Sequence, residues 1–380
     1  MADSLITDTV QLEGLCRRLH DSAWIALDTE FMRVQTYRAR LCLIQLATPE
    51  LIACVDPLAT LDITPLLELL YRPTIVKVLH AARQDVEVLA DIRGTPLQPV
   101  FDTQIAAALV GHDDQIGYGG LVEAVTGHKL SKLEARTDWA ARPLSAAQLS
   151  YAEDDVRYLR DVYLHLAARL QQLGRESWHA EECAALTDAK LYRNDPAQAW
   201  RRLGAGGGLP PAAQVRLAAL ADWREREAQR RDLPRGWVVP DVALVDIARR
   251  APASMADLAD VPELKPAVLR RDGARLLEIV TQAPTLPSAP LWETLERLDP
   301  TQTNLVKRLS TVVQERARAA QVSATLVAPR RELVKLVRRD PHCALLHGWR
   351  RGFIGEELAA LCHLPGDLPG DLSNDLPGAA

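Results

Sequence analysis

The chain has 380 residues, 48% of them hydrophobic and 25% charged, with a formal net charge of −5; these globular values exclude a fibrous or wholly disordered protein, and the length suits two or three domains with separate cores. Six cysteines without a Cys-x-x-Cys pair exclude the common zinc and dithiol redox motifs and fit reduced thiols in a cytoplasmic protein. Charge is uneven: residues 1–175 hold 17 Lys and Arg against 23 Asp and Glu, a net of −6, whereas residues 289–365 hold 12 against 8, a net of +4, so an acidic metal-dependent half and a later half suited to a polyanion are expected.

Met1-Ala2-Asp3-Ser4 lacks the basic and apolar regions of a signal peptide, and no apolar run approaches membrane-spanning length. Residues 23–28 read as a strand that ends in Asp28-Thr29-Glu30. Strand alternation puts Asp28 and Glu30 on one face, where two carboxylates repel unless a hard cation lies between them. A solvated strand end is the alternative reading of this stretch taken alone. Leu41–Ala47 and Leu51–Val55 read as further strands about a Thr48-Pro49-Glu50 turn, followed by helical spacing over Leu61–Leu70. Thr74–Leu79 is a β-branched strand that runs through His80 into a helix over Ala81–Leu89. Asp85 lies just past the strand's C-terminal end, where α/β sheets place their sites, although a first-turn acid also suits the helix dipole. Pro99–Asp102 is a short strand, and Asp102 begins an Ala-rich helix as a possible N-cap. The pattern is an α/β domain with a mixed sheet.

Farther along, Ser145 and Gln148 form a capping-box pattern. The helix that follows puts Tyr151 and Asp155 on one face, at i and i+4, among Leu149, Ala152, Val156 and Leu159. An acid there needs a partner such as a metal, whereas Glu153 and Asp154 point elsewhere. Asp28-x-Glu30, Asp85 and Tyr151-x-x-x-Asp155 together resemble the three motifs of the tyrosine-bearing branch of the DEDD 3′-5′ exonucleases. Asp28–Arg33, Leu43-Ile44-Gln45-Leu46, His80-Ala81, Phe101–Gln104, Arg136–Trp139 and Arg142–Ser145 resemble bacterial ribonuclease D.

The resemblance implies a ribonuclease H-like domain that hydrolyses RNA from its 3′ end to nucleoside 5′-monophosphates with two divalent ions, Mg²⁺ or Mn²⁺. It implies that Asp28, Glu30 and Asp155 hold one ion, that Asp28 bridges to a second held by Asp85, and that Tyr151 orients the attacking water. Gln84 stands beside Asp85 where related enzymes often carry an acid. Phe31, which could stack on the terminal base or belong to the core, and His80, Gln104, Lys132, Arg136 and Arg142 are the expected substrate contacts, and Trp139 is expected in the core.

Residues 176–208 read as a connecting helix ending in a Gly204–Gly208 hinge. Helices over Ala212–Arg231, Val242–Arg249 capped by Asp241, a third capped by Ser254 and Asp257, and Pro266–Thr281 resemble the HRDC bundle. After a Pro/Ser linker at 284–290, residues 291–364 resemble a second HRDC-like bundle, and residues 365–380 read as a disordered tail. Arg230, Arg231, Arg330, Arg331, Arg338, Arg339, Arg350 and Arg351 are expected to face phosphates or solvent. The expected protein is therefore an α/β exonuclease domain over 1–175 followed by two all-α bundles. It acts as a monomeric 3′→5′ exoribonuclease on RNA with a free 3′ end, in tRNA 3′ maturation, without a membrane. A DNA 3′-5′ exonuclease of the same superfamily and an inactive RNA-binding module are the alternatives.

Overall fold

A computed structural model describes residues 4–59, 62–130, 137–283, 291–292 and 297–362. In chain order its elements are β1 (Leu5–Ile6), α1 (Thr9–Leu19), β2 (Trp24–Met32), β3 (Arg40–Ala47), β4 (Ile52–Val55), α2 (Thr64–Leu70), β5 (Val76–Leu79), α3 (Arg83–Arg93), β6 (Val100–Asp102), α4 (Thr103–Leu109), α5 (Tyr118–Thr126), α6 (Ala146–Arg157), α7 (Leu159–Gln172) and α8 (Glu176–Leu186). The later helices are α9 (Pro211–Arg231), α10 (Arg235–Val238), α11 (Asp241–Arg250), α12 (Met255–Ala259), α13 (Pro266–Gln282), α14 (Pro300–Ala320), α15 (Ala324–Val327), α16 (Arg330–Val337), α17 (Gly348–Arg350) and α18 (Glu356–Cys362). They form two compact units, Met1–Val100 with Ser131–Arg160 and Leu186–Glu296, and Phe101–Leu130 with Asp161–Ala185 and Arg297–Ala380.

The first unit is built on a mixed sheet of order β1-β4-β3-β2-β5-β6. β2 is central, antiparallel to β3 and parallel to β5. Its apolar run Ile25-Ala26-Leu27 is fully buried because central strands are covered on both faces. α1, α2 and α3 bury Leu12, Leu66 and Val86 in the core that also holds Ile25 and Ile44. β1 and α1 are additions to the elements read from the sequence; two residues of β1 are too few for a strand pattern to register. Lys77, on β5, is fully buried. Its three ammonium donors go to the carbonyls of Ile75 at 2.6 Å, Gln98 at 2.8 Å and Arg72 at 3.2 Å. Burial pushes its pKa down to about 7.

α9 to α13 make a helical bundle with its own core around Leu217, Leu220, Leu244, Ile247 and Leu276. Asp241 is the first residue of α11, not its cap; Pro240 holds the cap position and the Asp241 carboxylate accepts from Arg224 at 2.5 Å. Ser254 and Asp257 do form a capping box. The connecting segment is not one helix. Only Glu176–Leu186 is α-helical; Asp188 and Asp195 then cap short 3₁₀ turns at Ala189–Leu191 and Pro196–Arg202. The glycine run is likewise an ordered 3₁₀ segment instead of an open hinge, and Gly206 is buried against Trp292.

The second unit gathers α4, α5, α7 and α8 with α14 to α18, so its members do not follow contiguous sequence boundaries. Arg175 explains much of this. Its guanidinium donates to the carbonyls of Leu109 at 2.5 Å, Gln321 at 3.1 Å and Ala320, at the C-terminal ends of α4 and α14. A cation there also complements the helix dipoles. Trp178 stacks on Trp349 at 4.5 Å, and Glu182 pairs with Arg350. Arg350 is thereby committed to a carboxylate, as is Arg231 to Asp272 at 2.7 Å in the first unit, which removes both from the set of free phosphate contacts.

Candidate active site

β2 carries its acids where the strand leaves the core. Asp28 lies opposite Gln45 and Glu30 opposite Leu43, and a register shift between Glu30 and Phe31 bends the strand just beyond them. α6 lies across β2, β3 and β4, started by the Ser145–Gln148 capping box. Asp28, Glu30 and Asp155 each offer a carboxylate oxygen, all within 4.8 Å of one another. Tyr151, one turn before Asp155, hydrogen-bonds its carboxylate. Asp154 instead pairs with Arg157 at 3.0 Å, and Glu153 accepts from Ser4 at 2.6 Å, so the i+4 spacing selects the right acid of the adjacent pair. Asp85, in the first turn of α3, is buried and accepts from Thr29 at 2.5 Å.

This cluster is electrostatically costly when the chain alone must hold it. Burial, followed by the charges of Asp85, Asp155 and Glu30, drives Asp28 well above the usual carboxylate range. Burial and then Asp155 and Asp85 push Glu30 up to about 8. Asp155 is pushed up to about 7, chiefly by burial, with the Tyr151 hydrogen bond acting in the opposite sense. Tyr151 is raised as well, by burial and then by the three acids, so it remains a neutral phenol. An all-oxygen donor set that cannot ionise together without a cation fits a hard divalent ion.

Other residues singled out in the sequence divide. Phe31 is half-buried and packs against the main core. His80 is half-buried in the turn after β5. Gln104 belongs to the second unit, where its amide donates to the Ile116 carbonyl at 3.1 Å. Lys132 and Arg136 lie outside the described residues. Arg142 is revised: its guanidinium donates to both oxygens of Asp56 at 2.6 and 2.7 Å and to the carbonyls of Cys42, Trp139 and Ala141. All five N–H groups are used, leaving none for a phosphate. Trp139 is core, at 2% exposure. Two neighbours of the acids had no role in the sequence reading. Thr29 is one. The other is Gln45, fully buried opposite Asp28, whose amide oxygen and nitrogen have no partner among the described residues. A glutamine inside the apolar run Leu41–Ala47 was the available signal.

A mixed sheet with acids at the end of its central strand, faced by a Tyr/Asp helix, defines the class of 3′-5′ exonucleases, and the family described as 3′-5′ exonuclease matches residues 4–171. The HRDC domain family matches residues 213–280, the α9–α13 bundle. The ribonuclease D of Acidiphilium cryptum is 39% identical, covering 94% of this chain and 92% of its own. That of Pseudomonas paraeruginosa is 37% identical over 93% of this chain and 96% of its own. Among solved structures, Escherichia coli RNase D matches with a TM-score of 0.85 and 34% identity, covering 94% of this chain and 97% of that one. The catalytic core of RRP6 from Trypanosoma brucei matches at 0.58 and 27%, covering 73% and 78%. The chain belongs to the ribonuclease D family of 3′→5′ exoribonucleases.

Proposed function

We propose that Asp28, Glu30, Asp155 and Asp85 hold two divalent ions, Mg²⁺ or Mn²⁺, and that with Tyr151 they form the hydrolytic centre. The observation that carries this reading is the convergence of three carboxylates within 4.8 Å, with Glu30 and Asp155 pushed up to about 8 and 7. Bound there, such ions supply Lewis-acid activation of water and charge stabilisation of the leaving 3′ oxygen. Asp28, grouped with Glu30 and Asp155 and also feeling the charge of Asp85, would be shared between the two ions. Tyr151 stays protonated, so it orients water by hydrogen bonding and is no general base at neutral pH. Thr29 fixes Asp85 through its hydroxyl. Phe31 and His80, at the ends of β2 and β5, contact the terminal nucleotide; Gln104, Lys132 and Arg136 serve the substrate in the same proposal.

The Escherichia coli relative is described as an exoribonuclease involved in structured RNA processing. By likeness we extend that substrate class to this chain, with tRNA precursors bearing extra 3′ nucleotides as the preferred RNA. Residues 291–364 act as a second HRDC-like bundle in addition to that of residues 209–284, with the exonuclease domain over 1–175. Six free cysteines fit a reducing cytoplasm, where we infer that the chain works as a monomer. No helix among the described residues is long and apolar enough to cross a membrane.

The test is incubation of a tRNA carrying 3′ extensions with purified protein, with and without Mg²⁺ or Mn²⁺, beside Asp155→Asn. Metal-dependent release of nucleoside 5′-monophosphates is expected, reduced more than about a hundredfold in the variant, as when one electrostatic stabiliser is removed from a site. Binding of the RNA without release under either metal sinks the assignment.

A further inference from the structure

The loop between β2 and β3 begins two residues after Phe31 and has no regular structure. It is held at both ends by contacts made far away in sequence. At its start, Arg33 pairs at 3.1 Å with Glu87 of α3, the helix that carries Asp85. At its far end, Tyr37 docks on the α9–α13 bundle. The backbone N–H groups of Tyr37 and Arg38 both donate to one oxygen of Asp232, at 3.1 and 3.2 Å. Asp232 ends α9 in the left-handed conformation, which turns its carboxylate out past the helix.

The Tyr37 hydroxyl donates to Glu225 and accepts from Gln229 at 3.1 Å and from Arg235 at 2.9 Å. One donor and two acceptor positions are thus all used. The Arg235 guanidinium also lies over the Tyr37 ring, 4.7 Å from its centroid, and grips Glu225 with two bonds of 2.6 and 2.7 Å. Glu225 is 1% exposed. A buried carboxylate with this full a set of partners has one geometry. Tyr37 is the only side chain of the loop that enters it.

We infer that Tyr37 is a positioning residue: by docking on Glu225, Arg235 and Asp232 it makes the helical bundle the anchor of the β2–β3 hairpin that bears Asp28, Glu30 and Phe31. This rests on the proposed reading of Asp28 and Glu30 as metal ligands. The bundle then serves catalysis even on a substrate too short to be gripped elsewhere, because it limits where the end of β2 can lie.

The experiment measures kcat and KM of the full chain on a tetraribonucleotide with saturating Mn²⁺, for wild type, Tyr37→Phe, Glu225→Gln, the double variant and Asp28→Asn. Tyr37→Phe keeps the ring and removes one hydroxyl, so it folds if Glu225→Gln does not. Displacements below 1 Å at a reacting centre are expensive, so kcat is expected to fall about fivefold to tenfold, with KM within about twofold. The double variant is expected to be no slower than the worse single one, since both break the same contact. A merely structural role lowers the melting midpoint and leaves kcat at 25 °C unchanged; that result, or additive losses, overturns the inference. Asp28→Asn separates the two readings. Full turnover in Asp28→Asn overturns the site assignment and this inference with it. A dead Asp28→Asn beside fully active Tyr37→Phe and Glu225→Gln overturns this inference alone.

Discussion

Gln45 is a fully buried amide without a partner among the described residues, placed opposite Asp28. Such a group loses its water and gains nothing in return. Gln45→Leu is therefore expected to stabilise the metal-free protein by about 1 kcal/mol, seen as a higher urea midpoint at constant slope. A lower midpoint would mean that a buried water satisfies the amide. The acids around it give a pH prediction. The folded pKa values of Glu30 and Asp155, about 8 and about 7, lie above the unfolded values near ~4. In that interval the folded state binds more protons than the unfolded one, so stability falls as pH rises. Lys77 has the opposite sign, but its window opens only above its folded pKa of about 7; the imidazoles of His179 and His112, lowered by burial, also oppose the acids below 6.5 but are outnumbered by Asp28, Glu30 and Asp155. The metal-free protein is thus expected to melt at a lower temperature at pH 7 than at pH 5, a difference that saturating Mg²⁺ removes by replacing protons as the neutralising charge. A flat profile between pH 5 and 7 would contradict the shared-charge account of the site. At this scale the sequence was informative where spacing alone decides. Asp28 and Glu30 follow from strand alternation, and Asp155 over Asp154 from the helical turn to Tyr151. Arg142 was not legible, because its partner Asp56 stands 86 residues away and only the fold brings them together.

Element boundaries follow the same logic. β2 to β6, α3, α6, α9 and α13 are each covered by a periodic pattern in the sequence, with ends displaced by a few residues. The connector departs from the single helix expected over 176–202 because Asp188, Asp195 and Pro196 interrupt it. Each Asp in fact accepts a backbone N–H two residues on, at 2.9 Å, and starts a new short turn. The glycine run shows the limit of composition. Five residues of Gly204–Gly208 look like a flexible spacer, yet a Cβ built on Gly206 would stand 2.2 Å from the Trp292 ring, while one on Gly208 meets nothing within 4 Å. The need for glycine is set by a side chain 86 residues later, Trp292. Gly206→Ala is expected to cost about 1–3 kcal/mol through displacement of Trp292, and Gly208→Ala to be neutral or stabilising by a few tenths of about 1 kcal/mol. Thermal melts of the two variants, with Trp fluorescence as the probe, check this. Equal effects would mean that the run is the open hinge its composition suggests.

The second compact unit draws its residues from three separated stretches of chain, and this bears on how the molecule can be divided. A motif reading puts every catalytic element before residue 175 and suggests that the N-terminal part is self-sufficient. Contacts within the second unit argue otherwise. Arg175 is 7% exposed, and two of its three carbonyl partners, Ala320 and Gln321, come from the end of α14. Glu182 holds Arg350, both near 15% exposed, and also accepts from the Trp349 indole at 2.8 Å. Glu181 accepts from the Trp349 backbone N–H at 3.0 Å, while Trp178 stacks on the Trp349 ring. Deleting residues 297–380 therefore strands an arginine and two glutamates and uncovers an aromatic face. Removing one partner of such a pair costs about 3 kcal/mol or more, which at this chain size lowers a melting midpoint by roughly 4 °C for each stranded partner. A fragment of residues 1–296 is accordingly expected to melt below the full chain. It should also be cut by trypsin at Arg175, which is buried against Ala320 and Gln321 in the full chain. Mapping the cuts by mass spectrometry alongside the melts tests both parts. A fragment that matches the full chain in midpoint and protection would show that α7 and α8 are stable without α14 to α18, and that the contiguous boundary near residue 175 describes folding better than the contacts around Arg175 do.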